Sequence, residues 1–318
     1  MTDTGTGRSA ACTAPDLACA VLRDQLHAFE VQLPAVRNGT DPESLHDLRV
    51  ALRRSRTVLA ELRDALAQDD AAALRAELTW LARLTGPVRD MDVYLDQLPA
   101  YAPGLEPGLR SALGPLRDFA LKRRELVRRD LERALDSPRA AALQERWRRL
   151  AAGEDGGAGP AAPAGDASSI AGRSIARRYH RLMERRDGLA QGVTPERLHA
   201  LRKSGKKLRY VLEIFRGVLP SVESGKLIGR LRRLQDALGR HHDLHVHADL
   251  TLQLAEKLAA AGHGAPRGLL AAGGVVQIVR AEERRCAREC LDALDRMARP
   301  KVRRQVGRLR RAGAGPDG

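Results

Sequence analysis

The chain has 318 residues, with 55 Lys and Arg against 40 Asp and Glu, a net charge of +15, and only 3% aromatic residues. That length accommodates two domain-sized halves, and the charge points to a polyanionic partner: nucleic acid, an anionic membrane surface or polymeric phosphate. The scarcity of rings argues against single-strand binding, which relies on base stacking, and favours recognition of phosphate itself.

Ala, Leu, Arg and Glu dominate, and apolar residues recur at spacings of three and four, so the fold class is all-α. Residues 1–15 read as a flexible N-terminus without the apolar core of a signal peptide. The first half, 16–150, is predicted to hold helices at 16–33, 42–67, 70–98 with a break at Gly86-Pro87, 105–135 and 138–150. A Gly/Ala/Pro-rich linker is expected over 151–169. The second half, 170–298, carries helices predicted at 169–189, 195–217, 221–259 and 265–298, and 299–318 reads as a frayed basic tail. The longest uncharged run, Gly268–Val279, is too short to cross a bilayer, so no membrane insertion is expected. Cys12, Cys19, Cys286 and Cys290 form no CxxC pair and fit a reducing, cytoplasmic setting.

One basic helical motif occurs twice, 153 positions apart. Asp41-Pro42-Glu43-Ser44-Leu45-His46-Asp47-Leu48-Arg49 leads into Arg53, Arg54 and Arg56, and Thr194-Pro195-Glu196-Arg197-Leu198-His199-Ala200-Leu201-Arg202 leads into Lys203, Lys206, Lys207 and Arg209. Residues 41–63 and 194–216 share ten identities in 23 positions. Each copy opens with an N-cap residue and a proline at the first helical position. The chain therefore reads as an internal duplication: two antiparallel four-helix bundles.

At 100° per residue, His46, Arg49, Arg53 and Arg56 lie within roughly 80° of one another, and Leu45, Leu48, Leu52, Leu59 and Leu62 occupy the adjoining face. His199, Arg202, Lys206 and Arg209 repeat the cationic face, with Gly205 standing where Leu52 does. Like charges one turn apart cost a few tenths of a kcal/mol each, so such a face needs an anion opposite it. The plain alternative, a solvated face of an Arg-rich protein, explains one copy better than two in register.

Downstream, Arg89-Asp90-Met91-Asp92-Val93 aligns with Arg240-His241-His242-Asp243-Leu244, which offers Arg89 and Arg240 to the basic faces and Asp92 and Asp243 as their structural partners. His241 and His245 have a spacing that zinc sites use. The first half lacks the pair, so these imidazoles are expected to be solvated or to extend the anion surface, and no metal is assigned.

The doubled Leu-His-x-Leu-Arg motif, its Lys/Arg ladders, and the Arg209-Tyr210-Val211-Leu212-Glu213 and Leu234-Gln235-Asp236-Ala237-Leu238-Gly239 stretches resemble the CHAD family, the conserved histidine α-helical domain, over roughly 16–298. The resemblance implies two duplicated halves related by a pseudo-twofold, whose basic helices line a basic central groove or pore that binds inorganic polyphosphate, in a protein that associates with polyphosphate granules and their proteins. The ExExK motif of the triphosphate tunnel enzymes that often accompany the family is missing.

Non-catalytic polyphosphate binding, without a cofactor, is thus the leading expectation. Arginine suits it because a planar, permanently charged guanidinium bridges two phosphate oxygens. The binding set is expected to be His46, Arg49, Arg53, Arg54, Arg56, Arg89, His199, Arg202, Lys203, Lys206, Lys207, Arg209 and Arg240. Nucleic acid is the weaker alternative, since no helix-turn-helix, zinc finger or aromatic platform is present. Phosphate-cleaving chemistry generally wants carboxylates holding divalent metal, and the repeated face offers no such cluster.

Overall fold

The computed structural model describes residues 13–39, 41–154, 167–262 and 265–312, which are helical throughout apart from turns and short 3-10 segments. The helices are α1 (Ala14–Asn38), α2 (Pro42–Glu61), α3 (Gln68–Tyr101), α4 (Pro107–Arg110), α5 (Gly114–Leu135), α6 (Pro138–Ala152), α7 (Ala167–Asp187), α8 (Pro195–Ile214), α9 (Ser221–Ala260), α10 (Pro266–Ala298) and α11 (Pro300–Ala312). The all-α class holds. Of the expected linker, 155–166 lie outside the described residues, as do 1–12 of the N-terminus.

Packing follows the same order in both halves. In the first, α1 packs on α2, α2 on α3 and α3 on α5, and α6 closes back on α1; in the second, α7 packs on α8, α8 on α9 and α9 on α10, and α11 closes back on α7. The halves do not keep separate cores. One continuous apolar cluster includes Leu52, Leu78 and Trp147 from the first and Leu208, Leu231 and Val279 from the second. The halves meet where α2 contacts α8 and where α5 contacts α9.

Two expectations fail for identifiable reasons. α3 runs unbroken through Gly86 and Pro87. A mid-helix proline costs about 3 kcal/mol, which the burial of Leu78, Leu81, Thr85, Val88 and Met91 around it offsets. The basic tail is not frayed up to Ala312: α11 buries Val302, Val306 and Leu309 against the second half. Its apolar residues at spacings of four and three form a narrow seam that the run of arginines obscured.

α11 lies so close to α7 that a Cβ on Gly172 would stand 2.9 Å from the Arg310 carbonyl oxygen and 3.1 Å from its Cα. Backbone cannot swing aside as a side-chain tip can. Gly172→Ala should therefore destabilise the protein by about 1–3 kcal/mol, read as a lower denaturant midpoint. An unchanged midpoint would mean that the α7–α11 contact is looser than described.

Candidate anion-binding site

The site begins with two matched helix starts. Asp41 accepts the backbone N–H groups of Glu43 and Ser44 at 3.0 and 3.1 Å, and the Thr194 hydroxyl accepts that of Arg197 at 3.3 Å. These caps fix the phase of α2 and α8 from the first turn. Leu45, Leu48, Leu52 and Leu59 are then buried on α2, and Leu198, Leu201, Leu208 and Leu212 on α8. The adjoining cationic faces are left to meet each other.

They do meet. Arg54 crosses to Glu213 on α8 at 3.4 Å, and Arg209 reaches the same carboxylate at 3.7 Å. The guanidinium carbons of Arg53 and Arg209 lie 4.9 and 5.3 Å from the centre of the Tyr210 ring, so one aromatic face spaces a cation from each ladder. Arg49 donates to the Thr85 hydroxyl at 3.0 Å. Among the described residues, the Nε groups of Arg53, Arg54, Arg56 and Arg202 are nonetheless buried without a hydrogen-bond partner, as is the Tyr210 hydroxyl, and Arg209 Nε has only its 3.7 Å ion pair with Glu213. A buried donor left unpaired costs about 1–3 kcal/mol, so several on one pair of helices mark a surface short of acceptors.

The electrostatics agree. Burial first, and then neighbouring cations, hold Arg49 and Arg53 below the usual arginine pKa; Arg202 is among those neighbours for both. Lys206 is pushed down to about 7, first by burial and then by Arg202 and Arg53. Burial, Arg202 and His199 push His242 down to about 3. His46 and His199 are also lowered, by burial and then by Arg89 and Lys203 respectively. The imidazoles that head the ladders are thus mostly neutral near pH 7 unless an anion is beside them. His199 and His242 face each other, Nδ1 to Nδ1, at 3.3 Å, an arrangement that needs one ring to donate and the other to accept.

Two carboxylates that the sequence reading left out of the site stand within it. Asp90 and Asp243 feel each other and share the influence of Arg89 and Arg202, and burial is the main cause that raises both pKa values. Asp90 is solvent-exposed although protein surrounds it on most sides, which is how a residue lining a groove behaves.

The alignment of the downstream elements needs correction. The 153-residue offset of the motif, carried forward, equates Asp90 with Asp243 and Arg89 with His242. The expected pairing of Arg89 with Arg240 used an offset of 151. Two residues turn a helix by about 200°, which puts Arg240 on the far side of α9. There it binds Glu289 at 2.5 Å. Asp92 likewise pairs with Arg124, at 2.5 Å, and not with Arg89.

The structure thus gathers His46, Arg49, Arg53, Arg54, Arg89, His199, Arg202, Lys206 and Arg209 about the α2–α8 seam. Arg89 is tied to the start of α2 through the Pro42 carbonyl and Glu43, both at 3.2 Å. Lys203 is exposed beside His199. Arg56 stands near Arg75 and Arg83 on α3, while Lys207 is exposed toward Arg75 and toward Arg178, Arg181 and Arg185 of α7. Arg240 is not brought to the seam. Gly205 faces α9, where a Cβ would stand 3.8 Å from Leu234, an ordinary contact, and Gln235 donates to its carbonyl at 3.0 Å.

The histidine run of α9 disperses. His241 is buried near Glu283, His245 binds Glu283 at 2.8 Å, and His247 bonds the Tyr101 hydroxyl at 2.6 Å and is pushed down to about 4 by burial. Only His242 reaches the cationic seam, so the run as a whole is neither solvated nor part of the anion surface.

The CHAD domain family model matches residues 20–252, a span that contains both ladders. The chain belongs to the CHAD domain family. Among solved structures, the CHAD domain from the plant Ricinus communis is similar over 96% of this chain and 97% of that one, at 25% identity and a TM-score of 0.69. PptA from Streptomyces chartreusis shares the fold over 89% of this chain and 99% of its own, at 21% identity and a TM-score of 0.70. Comparison with curated proteins returns no match.

In this CHAD protein Lys206 makes stability depend on pH. Its folded pKa of about 7 lies below the ordinary 10.5, so between these values the unfolded chain holds a proton that the folded chain lacks. The resulting destabilisation is full below about pH 7 and fades as pH rises toward 10.5. Lys206→Met should therefore be more stable than the parent at pH 6.5, with the gap closing by pH 10. Equal midpoints at both pH values would show that the ammonium is not held out of water.

Proposed function

We propose that the protein binds inorganic polyphosphate, without cleaving it, in the groove between α2 and α8. The observation that carries this reading is the set of buried arginine Nε donors on facing, like-charged ladders, those of Arg53, Arg54 and Arg202, that have no hydrogen-bond acceptor among the described residues. A condensed phosphate chain offers closely spaced oxygens along a flexible, base-free backbone, and guanidinium groups pair with such oxygens two at a time. Asp90 and Asp243 act as internal counter-charges in the unliganded protein. Association with polyphosphate granules in the cytoplasm, alongside their proteins, follows from the same reading. No helix among the described residues is long and apolar enough to cross a membrane.

Titration with size-defined polyphosphate should give an affinity that falls log-linearly with salt, by extension from counterion release on nucleic acids. Replacing Arg49, Arg53, Arg202 and Lys206 together with Ala should flatten that slope while helicity is retained. Unchanged binding would place the site elsewhere. Polyphosphate should displace labelled RNA at a far lower phosphate concentration than RNA displaces polyphosphate; the reverse order would favour a nucleic-acid ligand. Phosphate release on prolonged incubation with divalent metal would overturn the non-catalytic assignment.

The same site sets a pH response. A polyanion beside Lys206 raises its pKa from about 7, so binding takes up a proton above neutrality. Affinity should therefore fall as pH rises from 7 to 9. Lys206→Arg stays charged across this window and should flatten the response. A paired His46→Gln, His199→Gln variant should instead lose the dependence nearer pH 6. If Lys206→Arg keeps the parent's slope, another group takes up the proton.

A further inference from the structure

The second half carries another concentration of unpaired charge, away from the α2–α8 seam, where α9, α10 and α11 converge. A cavity of about 280 Å³ there is lined by Arg230 and Arg233 of α9, Arg296 of α10, Arg299 of the connection, and Lys301 of α11. No carboxylate among the described residues lines it, and Glu223 lies within electrostatic reach of Arg230 alone of the five. Its remaining wall is Leu234, Ala293, Met297 and Val302, all buried, so the cations stand around an apolar floor. Arg230 donates to the Gln305 side chain at 2.5 Å. The side chains of Arg233, Arg296, Arg299 and Lys301 make no hydrogen bond or ion pair among the described residues. Asp236, Glu289 and Asp292 border a neighbouring cleft that shares Arg233 and Arg296, and Glu289 is taken by Arg240.

The shape is held by packing. Arg299 is the one extended residue between α10 and α11, and Pro300 starts the new helix at once. The buried Val302 and Met297 then fix the angle between the two helices. The N-terminal end of α11 adds the partial positive charge of its helix dipole on the same side as Lys301.

We infer that this cavity is a second anion site, separate from the α2–α8 seam, which holds a short condensed phosphate of roughly two to four phosphoryl units, in which each inner unit carries one negative charge and each end a second that titrates near neutrality. Five cations with no carboxylate among them are poorly matched by one phosphate or carboxylate. Several phosphoryl groups in a small volume meet both the charge and the size. The chemistry is shared by the end of a polyphosphate chain, by free tripolyphosphate and by a nucleoside triphosphate.

The test uses the full chain, with tripolyphosphate followed by calorimetry and by amide hydrogen exchange. Two sites are expected, with protection over residues 296–303 and along α2 and α8. In Arg296→Ala, Arg299→Ala, Lys301→Ala, three exposed positions where folding is not at risk, protection at 296–303 should be lost. Affinity there should fall roughly fivefold per exposed cation and about a hundredfold in all. The groove variant with Arg49, Arg53, Arg202 and Lys206 replaced by Ala should lose the other protection only. ATP protecting 296–303 as tripolyphosphate does would support recognition of the phosphates alone. Equal protection by citrate would overturn the condensed-phosphate assignment, and no protection at 296–303 in the parent would overturn the site. A parent protected at 296–303 but not along α2 and α8 would sink the proposed function and leave this inference standing.

Discussion

Positive charge confined between two packed helices is the constraint on which the rest of this structure depends. Arg49, Arg53, Arg202, Lys206 and Arg209 lie within reach of one another's charge, and burial removes much of the water that would screen them. The protein supplies few opposing groups: Glu213 holds Arg54 and Arg209, Asp90 and Asp243 stand among the cations, and Tyr210 offers its ring face. The lowered pKa of Lys206 expresses its burial first and then the repulsion that remains. Such an interface exists because leucines on the adjoining faces of α2 and α8 are buried in the common core, which stabilises the pair while the cationic faces oppose it. Stability given up at a site is a common signature of function.

The two copies of the motif have diverged in ways that make the two cationic faces unequal. Tyr210 occupies the place of Thr57, Glu213 that of Ala60, and His242 that of Arg89. The first ladder is headed by His46 and is otherwise arginine, with Arg89 bound to the start of its helix. The second carries Lys206, whose pKa of about 7 makes its charge respond to pH, and its His199 shares a short contact with His242 of α9.

The helices, their capped starts and the two ladders were legible in the residues because each depends on neighbours three or four positions away. Most of the ladder residues meet as their pattern implied. Tyr210 belongs to the stretch that carries the family resemblance, but nothing local says that its ring lies against both Arg53 and Arg209. Asp90 and Asp243 were also visible, and the signal that pairs them was the constant offset of 153. A shift of two residues hid it and sent Arg240 to the wrong face, since a helix turns by about 200° over that distance. In the same way, the arginines of α11 masked a spaced apolar seam, and the proline of α3 read as a break where burial carries the helix through.

By itself, the sequence determined what is local: helical class, helix phase, the duplication, and a cationic stripe on each of two helices. Only the tertiary structure decided that the stripes face one another, that the halves share one core, that each histidine of the α9 run has a different neighbour, and that five further cations surround a cavity beside α11. The physical reason is range. Backbone hydrogen bonds and side-chain periodicity act over one or two turns and leave a repeating mark on the chain. Burial and electrostatic neighbours depend on which faces meet across helices more than a hundred residues apart, and that is set by the packing of the whole core.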